Sequence, residues 1–252
     1  TLFNALTKNN VLAANYPFAT IEPNTGVVPV PDTRLEILAK ISKSQEVVPA
    51  VVKFVDIAGL VAGAHKGEGM GNEFLSNIRE TSAIAQIVRV FADDDVQHVH
   101  NKLDPKHDIE VINGELILAD LQTIDNHLPK LAKLAKSDKL AAKQMAEIEK
   151  LQQKLNDEVL AINAGIDLEL IKHLNLLTAK PFIYVFNIDE KDINNIAKQE
   201  ELAALAPAES VFVSAKIEAE LSQIEEAGDL MAEYGLEETG LERLSEVGYS
   251  TL

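Results

Sequence analysis

The chain has 252 residues, no cysteine and a formal net charge of −17 at pH 7, which excludes disulfide scaffolds, cysteine-ligated metal centres and nucleic-acid binding by the surface as a whole. Its 46% hydrophobic and 25% charged content is that of an ordinary globular chain, long enough for one large domain or two small ones. No apolar run reaches membrane-spanning length and the start TLFNALTKNN lacks a signal-peptide layout, so no membrane association is expected, and the lack of cysteine fits a reducing compartment.

In chain order, TLFNALTK reads as a helix with Leu2, Phe3 and Leu6 on one side, beginning without any lead-in. The end, GYSTL, is equally abrupt, and both suggest a piece of a longer protein. Next comes YPFATIEPNTG (residues 16–26), which leads into an apolar run at Val27–Val30. Thr20 in this segment either supplies a hydroxyl to Mg²⁺ from a switch loop or is an ordinary turn residue.

The run VVKFV at Val51–Val55 reads as a strand, with Asp56 at its end and Gly59 three residues later. An acid and a glycine in D-x-x-G after a buried strand are how P-loop nucleotidases place a carboxylate near Mg²⁺ and a backbone N–H against a γ-phosphate. Five of the twelve glycines lie between Gly59 and Gly71, which predicts a segment able to order around phosphate; a surface excursion is the plainer alternative. IAQIVRVF at Ile84–Phe91 is the third strand. These nearly continuous apolar runs, separated by helical patterns, predict central strands covered on both faces in an α/β sheet whose ligands sit beyond the strands' carboxyl ends.

Residues 115–172 break the rhythm. Leu121, Ile124, Leu128, Leu131 and Ala135 repeat at threes and fours, as do Ile148, Leu151, Leu155, Val159 and Ile162, with KSDK (136–139) between them. The pattern predicts an inserted helical hairpin of coiled-coil type, the alternative being two ordinary helices on the sheet. At its tip Lys130, Lys133, Lys136, Lys139 and Lys143 face only Asp138, either as a solvated surface or as a contact for RNA phosphates.

After the hairpin, FIYVF (Phe182–Phe186) is followed by Asn187-Ile188-Asp189-Glu190. Guanine-specific P-loop proteins carry Asn-Lys-x-Asp there, the Asp accepting from guanine's ring N–H and amine. Here Ile188 and Glu190 replace the Lys and the Asp. Adenine has a bare acceptor where guanine has a donor, so a longer carboxylate that can swing aside removes a repulsion, while Asn187 can still pair with a purine's N7 and with adenine's N6 amine. The departure points from GTP to ATP. A one-residue shift would bring Asp189 to the base instead. The last strand, Val211–Val213, closes on Ser214-Ala215-Lys216, where such proteins use a Ser-Ala turn to support the base.

YPFATIEPNTGVV, FVDIAGLVAGAHKGEGMGNEFL, NIRET, NIDE and SAK together resemble the YchF group, the Obg-like ATPases of the translation-factor-related P-loop class, essentially from end to end. The resemblance implies a P-loop NTPase-type, mostly parallel sheet with an antiparallel edge strand and helices on both faces. It implies a nucleotide-binding domain in two parts, 1–114 and 173–252, around a coiled-coil insertion at 115–172, with a TGS domain expected beyond Leu252. It also implies Mg²⁺-dependent ATP hydrolysis and ribosome association in the cytoplasm, with no role for DNA or a membrane. Thr1 matches the residue after GxxxxGK[ST], so the phosphate loop is expected upstream, and the sequence as it stands is expected neither to bind ATP tightly nor to turn it over. Leu60 stands where Ras-like enzymes carry the water-orienting glutamine, so hydrolysis should be slow or use another group. His98, in DDDVQHVH, matches the family there and is the candidate, a surface histidine being the alternative.

Three functions compete. In the leading one, ATP and Mg²⁺ order the loops around Thr20 and Gly59 and a partner reads that state. An Obg-type GTPase differs in base choice. A non-catalytic ribosome or RNA adaptor would rely on the lysine tip, the acidic stretch Glu218–Glu246 limiting contact to it.

Overall fold

The structure, a computed structural model, describes residues 2–7, 24–57, 70–91, 103–224 and 228–252, of which 70–73 in backbone only. The chain divides into two units: Thr1–Ala58 with Ala85–Pro105 and Phe182–Leu252, and Gly59–Ile84 with Lys106–Pro181.

In the first unit, helix α1 (Leu2–Thr7) precedes strand β1 (Asn24–Pro29), helix α2 (Arg34–Ser42) and strand β2 (Val51–Asp56). Strands β1 and β2 form an antiparallel pair, with Asn24 opposite Asp56 and Pro29 opposite Val51. The expectation of central strands covered on both faces fails here: Val27 is 59% and Val51 55% exposed, while Val52 is buried. Alternation, with one face wet, is the ordinary pattern of an antiparallel ribbon.

Strands β3 (Ile84–Arg89), β4 (Phe182–Asn187) and β5 (Glu209–Val213) form the second sheet in that order. β4 and β5 are parallel, Ile183 opposite Glu209 and Asn187 opposite Val213. The bonds Ile84 N–H to Pro181 O and Val90 N–H to Asn187 O advance in the same direction on both chains, so β3 is parallel to β4 as well. Phe182–Phe186 are all buried, as the unbroken apolar run requires of a central parallel strand. Each such side chain contributes about 1.5–3 kcal/mol by leaving water. Helix α10 (Gly240–Thr251) lays Leu244 and Val247 on Ile183, Val185, Val211 and Val213, with Phe54 of β2 at the margin.

The second unit holds helix α3 (Met70–Glu80) and the hairpin of α4 (Pro105–Leu134) and α5 (Lys139–Asn156). Helix α4 starts ten residues before position 115, so the 114/115 division falls inside it. Leu116 and Ile124 of α4 and Ile148, Leu151 and Leu155 of α5 are each at most 1% exposed, and Gln152 of α5 donates to Asp125 Oδ1 of α4 at 2.9 Å. Asp138 caps α5, accepting from the N–H of Leu140 at 2.7 Å and of Ala141 at 3.3 Å. Beyond Asn156 the predicted helix gives way to short turns at 161–163 and 172–174 and the single turn α6 (Leu168–Ile171). Asp120, fully buried on α4, fastens that return path by accepting from the N–H groups of Leu177 and Thr178, each at 2.8 Å, and from Thr178 Oγ1 at 2.7 Å. Arg79 at the end of α3 donates to Asn175 O at 2.8 Å and Thr123 Oγ1 at 3.0 Å.

Candidate functional site

Parallel strands β4 and β5 end side by side, and their carboxyl ends carry both short motifs. Asn187 is the last residue of β4, and Ser214 follows β5 as the N-cap of α8 (Ala215–Leu221). Two hydrogen bonds lock these ends together: Ile188 N–H to Val213 O at 2.8 Å and Ala215 N–H to Asn187 Oδ1 at 3.0 Å. The second bond orients the amide. With Oδ1 accepting from Ala215, the Asn187 NH₂ group is the end left to donate, and a purine's N7 is an acceptor.

Ile188 is 2% exposed, so its side chain packs into the core beneath the turn; Ser214, equally buried, makes no side-chain cap bond to α8. Asp189 and Glu190 part company. Asp189 caps the short turn Glu190–Asp192, accepting from Lys191 N–H at 3.3 Å and pairing with Lys191 Nζ at 3.4 Å. These contacts, the backbone bond first, hold its carboxyl below the usual range. Glu190 reaches across to α8, where its Oε1 pairs with Lys216 Nζ. That bond raises the Lys216 ammonium above the usual lysine pKa.

Asp56 closes β2, half-buried, and burial pushes its carboxyl up. A carboxylate short of solvent is a hard oxygen donor that gains from a divalent counter-charge, so the residue fits Mg²⁺. Opposite it in the register, Asn24 has a buried side-chain nitrogen without a partner among the described residues. No sequence pattern singles Asn24 out, and only its pairing with Asp56 draws notice to it.

The structure therefore brings together Asn187, Ile188, Glu190, Ser214, Ala215 and Lys216 at one strand end, with Asp56 at the end of β2 in the same unit. Thr1, Thr20, Gly59, Leu60 and His98 lie outside the described residues. Among the described residues no group of three or more metal-binding side chains occurs, and no helix is long and apolar enough to cross a membrane.

A family model described as 50S ribosome-binding GTPase matches residues 1–188. The ribosome-binding ATPase YchF of Haemophilus influenzae is 48% identical over 261 residues, covering all of this chain and 72% of its own length. The protein of the same name from Bacillus subtilis is 44% identical over 264 residues with the same coverage. The structure of the Schizosaccharomyces pombe YchF GTPase aligns with a TM-score of 0.79 at 33% identity, covering all of this chain and 71% of that one. The strand-end turn, the parallel sheet and these likenesses agree: on a fold of P-loop nucleotidase type, the chain belongs to the YchF family.

Proposed function

We propose that the protein is an ATP-binding, slowly ATP-hydrolysing switch that acts on the ribosome and depends on Mg²⁺. The observation that carries the reading is the bond from Ala215 N–H to Asn187 Oδ1 at 3.0 Å. Position 6 of a purine is an acceptor in guanine and a donor in adenine. A backbone N–H free at this turn would favour guanine; here Asn187 consumes it. Glu190, the carboxylate that would otherwise meet guanine's donors, is paired with Lys216. Both features favour adenine. The relatives' names divide between ATPase and GTPase, and it is these residues that support the first.

In this reading Asn187 donates to N7, Ser214, Ala215 and Lys216 support the base, and Ile188 packs the turn from below. Asp56 and Thr20 would hold Mg²⁺, which neutralises phosphate charge when bound. Gly59 would give a backbone N–H to the γ-phosphate, and Thr1 matches the residue just after the phosphate-binding motif. Leu60 offers no hydrogen bond to the attacking water, so hydrolysis is slow, with His98 as the group that polarises it.

The partner reading rests on relatives named ribosome-binding and on the hairpin tip. All five tip lysines are exposed, and Asp138, the one acid between Lys130 and Lys143 in the sequence, accepts from the backbone N–H groups of Leu140 and Ala141. Such a tip suits rRNA phosphates. The same surface favours an adaptor that binds ribosomes without needing turnover.

The test is hydrolysis by the full-length protein with and without Mg²⁺, for wild type and His98→Ala. The reading expects Mg²⁺-dependent release of phosphate from ATP, reduced at least about tenfold by the substitution. Absence of ATP turnover leaves the adaptor; unchanged turnover in His98→Ala removes that residue from the mechanism.

A further inference from the structure

The Asn187 NH₂ group by itself does not choose between purines. It addresses N7, which adenine and guanine share. Beyond the Ala215 N–H that Asn187 consumes, discrimination has to come from a group that meets the ring N–H and amine edge, where the two bases also differ. Guanine presents a ring N–H and an exocyclic amine there, and either would be satisfied by a free carboxylate.

Two carboxylates follow Asn187. Asp189 is committed to its own turn by the N–H and the ammonium of Lys191. Among the described residues Glu190 has no such local tie. Its partner is Lys216, 26 residues further on, in the first turn of α8. The two ends of that bridge cannot drift apart, because Ile188 N–H bonds Val213 O at 2.8 Å and Ala215 N–H bonds Asn187 Oδ1 at 3.0 Å immediately beside it.

We infer that Lys216 is a further specificity-determining residue of the site, a positioning residue that pins Glu190 and so withholds from guanine the carboxylate it would need. The inference rests on the nucleotide-binding reading above. A cation is required, not merely a long side chain, since the bridge is a charge-assisted bond. The hydrogen bond to Glu190 raises the Lys216 pKa above its ordinary value, which favours the charged ammonium. Glu220 also lies within electrostatic reach of Lys216, with the Tyr234 hydroxyl donating to Glu220 Oε2 at 3.4 Å. Being largely exposed, Lys216 can be replaced without opening a cavity.

The test compares ATP and GTP dissociation constants of the full-length protein for wild type, Lys216→Gln, Lys216→Arg and Lys191→Gln. In Lys216→Gln the freed Glu190 gains a hydrogen-bonding role toward guanine, and the ratio of ATP to GTP affinity falls about tenfold, the value of one charged hydrogen bond. Lys216→Arg restores the wild-type ratio, and Lys191→Gln, which disturbs Asp189 in the same turn, leaves it unchanged. A Lys216→Gln ratio equal to wild type, with both nucleotides still bound, overturns the inference and leaves the ATP reading standing. A wild type that binds neither nucleotide removes that reading and this inference with it.

Discussion

Glu218 Oε1 accepts the N–H of Gly240 at 2.7 Å, placing a carboxylate that is 4% exposed against the N-terminus of α10. The end of a helix favours a negative charge, and burial opposes it. Burial prevails: the Glu218 pKa rises to about 7, with Glu242 nearby adding to the shift. The folded state therefore keeps a proton that the unfolded state has lost between about 4.5 and 7. Stability contributed by this residue is complete below 4.5 and falls as pH rises through that window, by up to about 3 kcal/mol. Urea unfolding between pH 4.5 and 8 should show this decline in the wild type and a flatter profile in Glu218→Gln, whose amide still accepts from Gly240. Parallel profiles would place the titration elsewhere.

A second prediction concerns the return path after the hairpin. Asp120→Ala leaves the N–H groups of Leu177 and Thr178 and the Thr178 hydroxyl without their acceptor in the interior. The cost should be about 3 kcal/mol or more, seen as a lower urea midpoint. Asp125→Ala, on the exposed side of the same helix, gives only its bond to Gln152 away and should cost under about 1 kcal/mol. Equal losses in the two variants would mean that Asp120 is not the fastening.

The elements that are plain in the sequence are those in which one physical requirement dominates. FIYVF can only be a strand buried on both faces, and it is; Asn187 and Ser214 then have to stand at neighbouring strand ends. The β1–β2 ribbon is misjudged from sequence because VVKFV and a buried strand have the same composition, and which valines face water depends on what lies over them. Helix α2 gives no signal, since Ile37, Leu38 and Ile41 are all more than half exposed and it has no buried face to mark its period. Glu218 belongs by composition to an acidic surface, and its burial follows from a bond to a residue 22 positions away that no local pattern encodes. The Glu190–Lys216 bridge is hidden for the same reason.

A third prediction tests the hairpin tip. Replacing Lys130, Lys133, Lys136, Lys139 and Lys143 with Gln should weaken co-sedimentation with ribosomes and flatten its dependence on salt, by nearly one unit of log–log slope for each phosphate that the tip no longer neutralises. All five side chains are exposed, so the fold should be unaffected. Undiminished binding, or an unchanged salt slope, would move the ribosome-binding surface away from the tip.

The most direct test of the account is the relative affinity of the full-length protein for ATP and GTP in the presence of Mg²⁺, before and after the paired change Glu190→Asp with Ile188→Lys. The account predicts tighter binding of ATP by the wild type and a shift toward GTP in the double variant. Tighter binding of GTP by the wild type would contradict it.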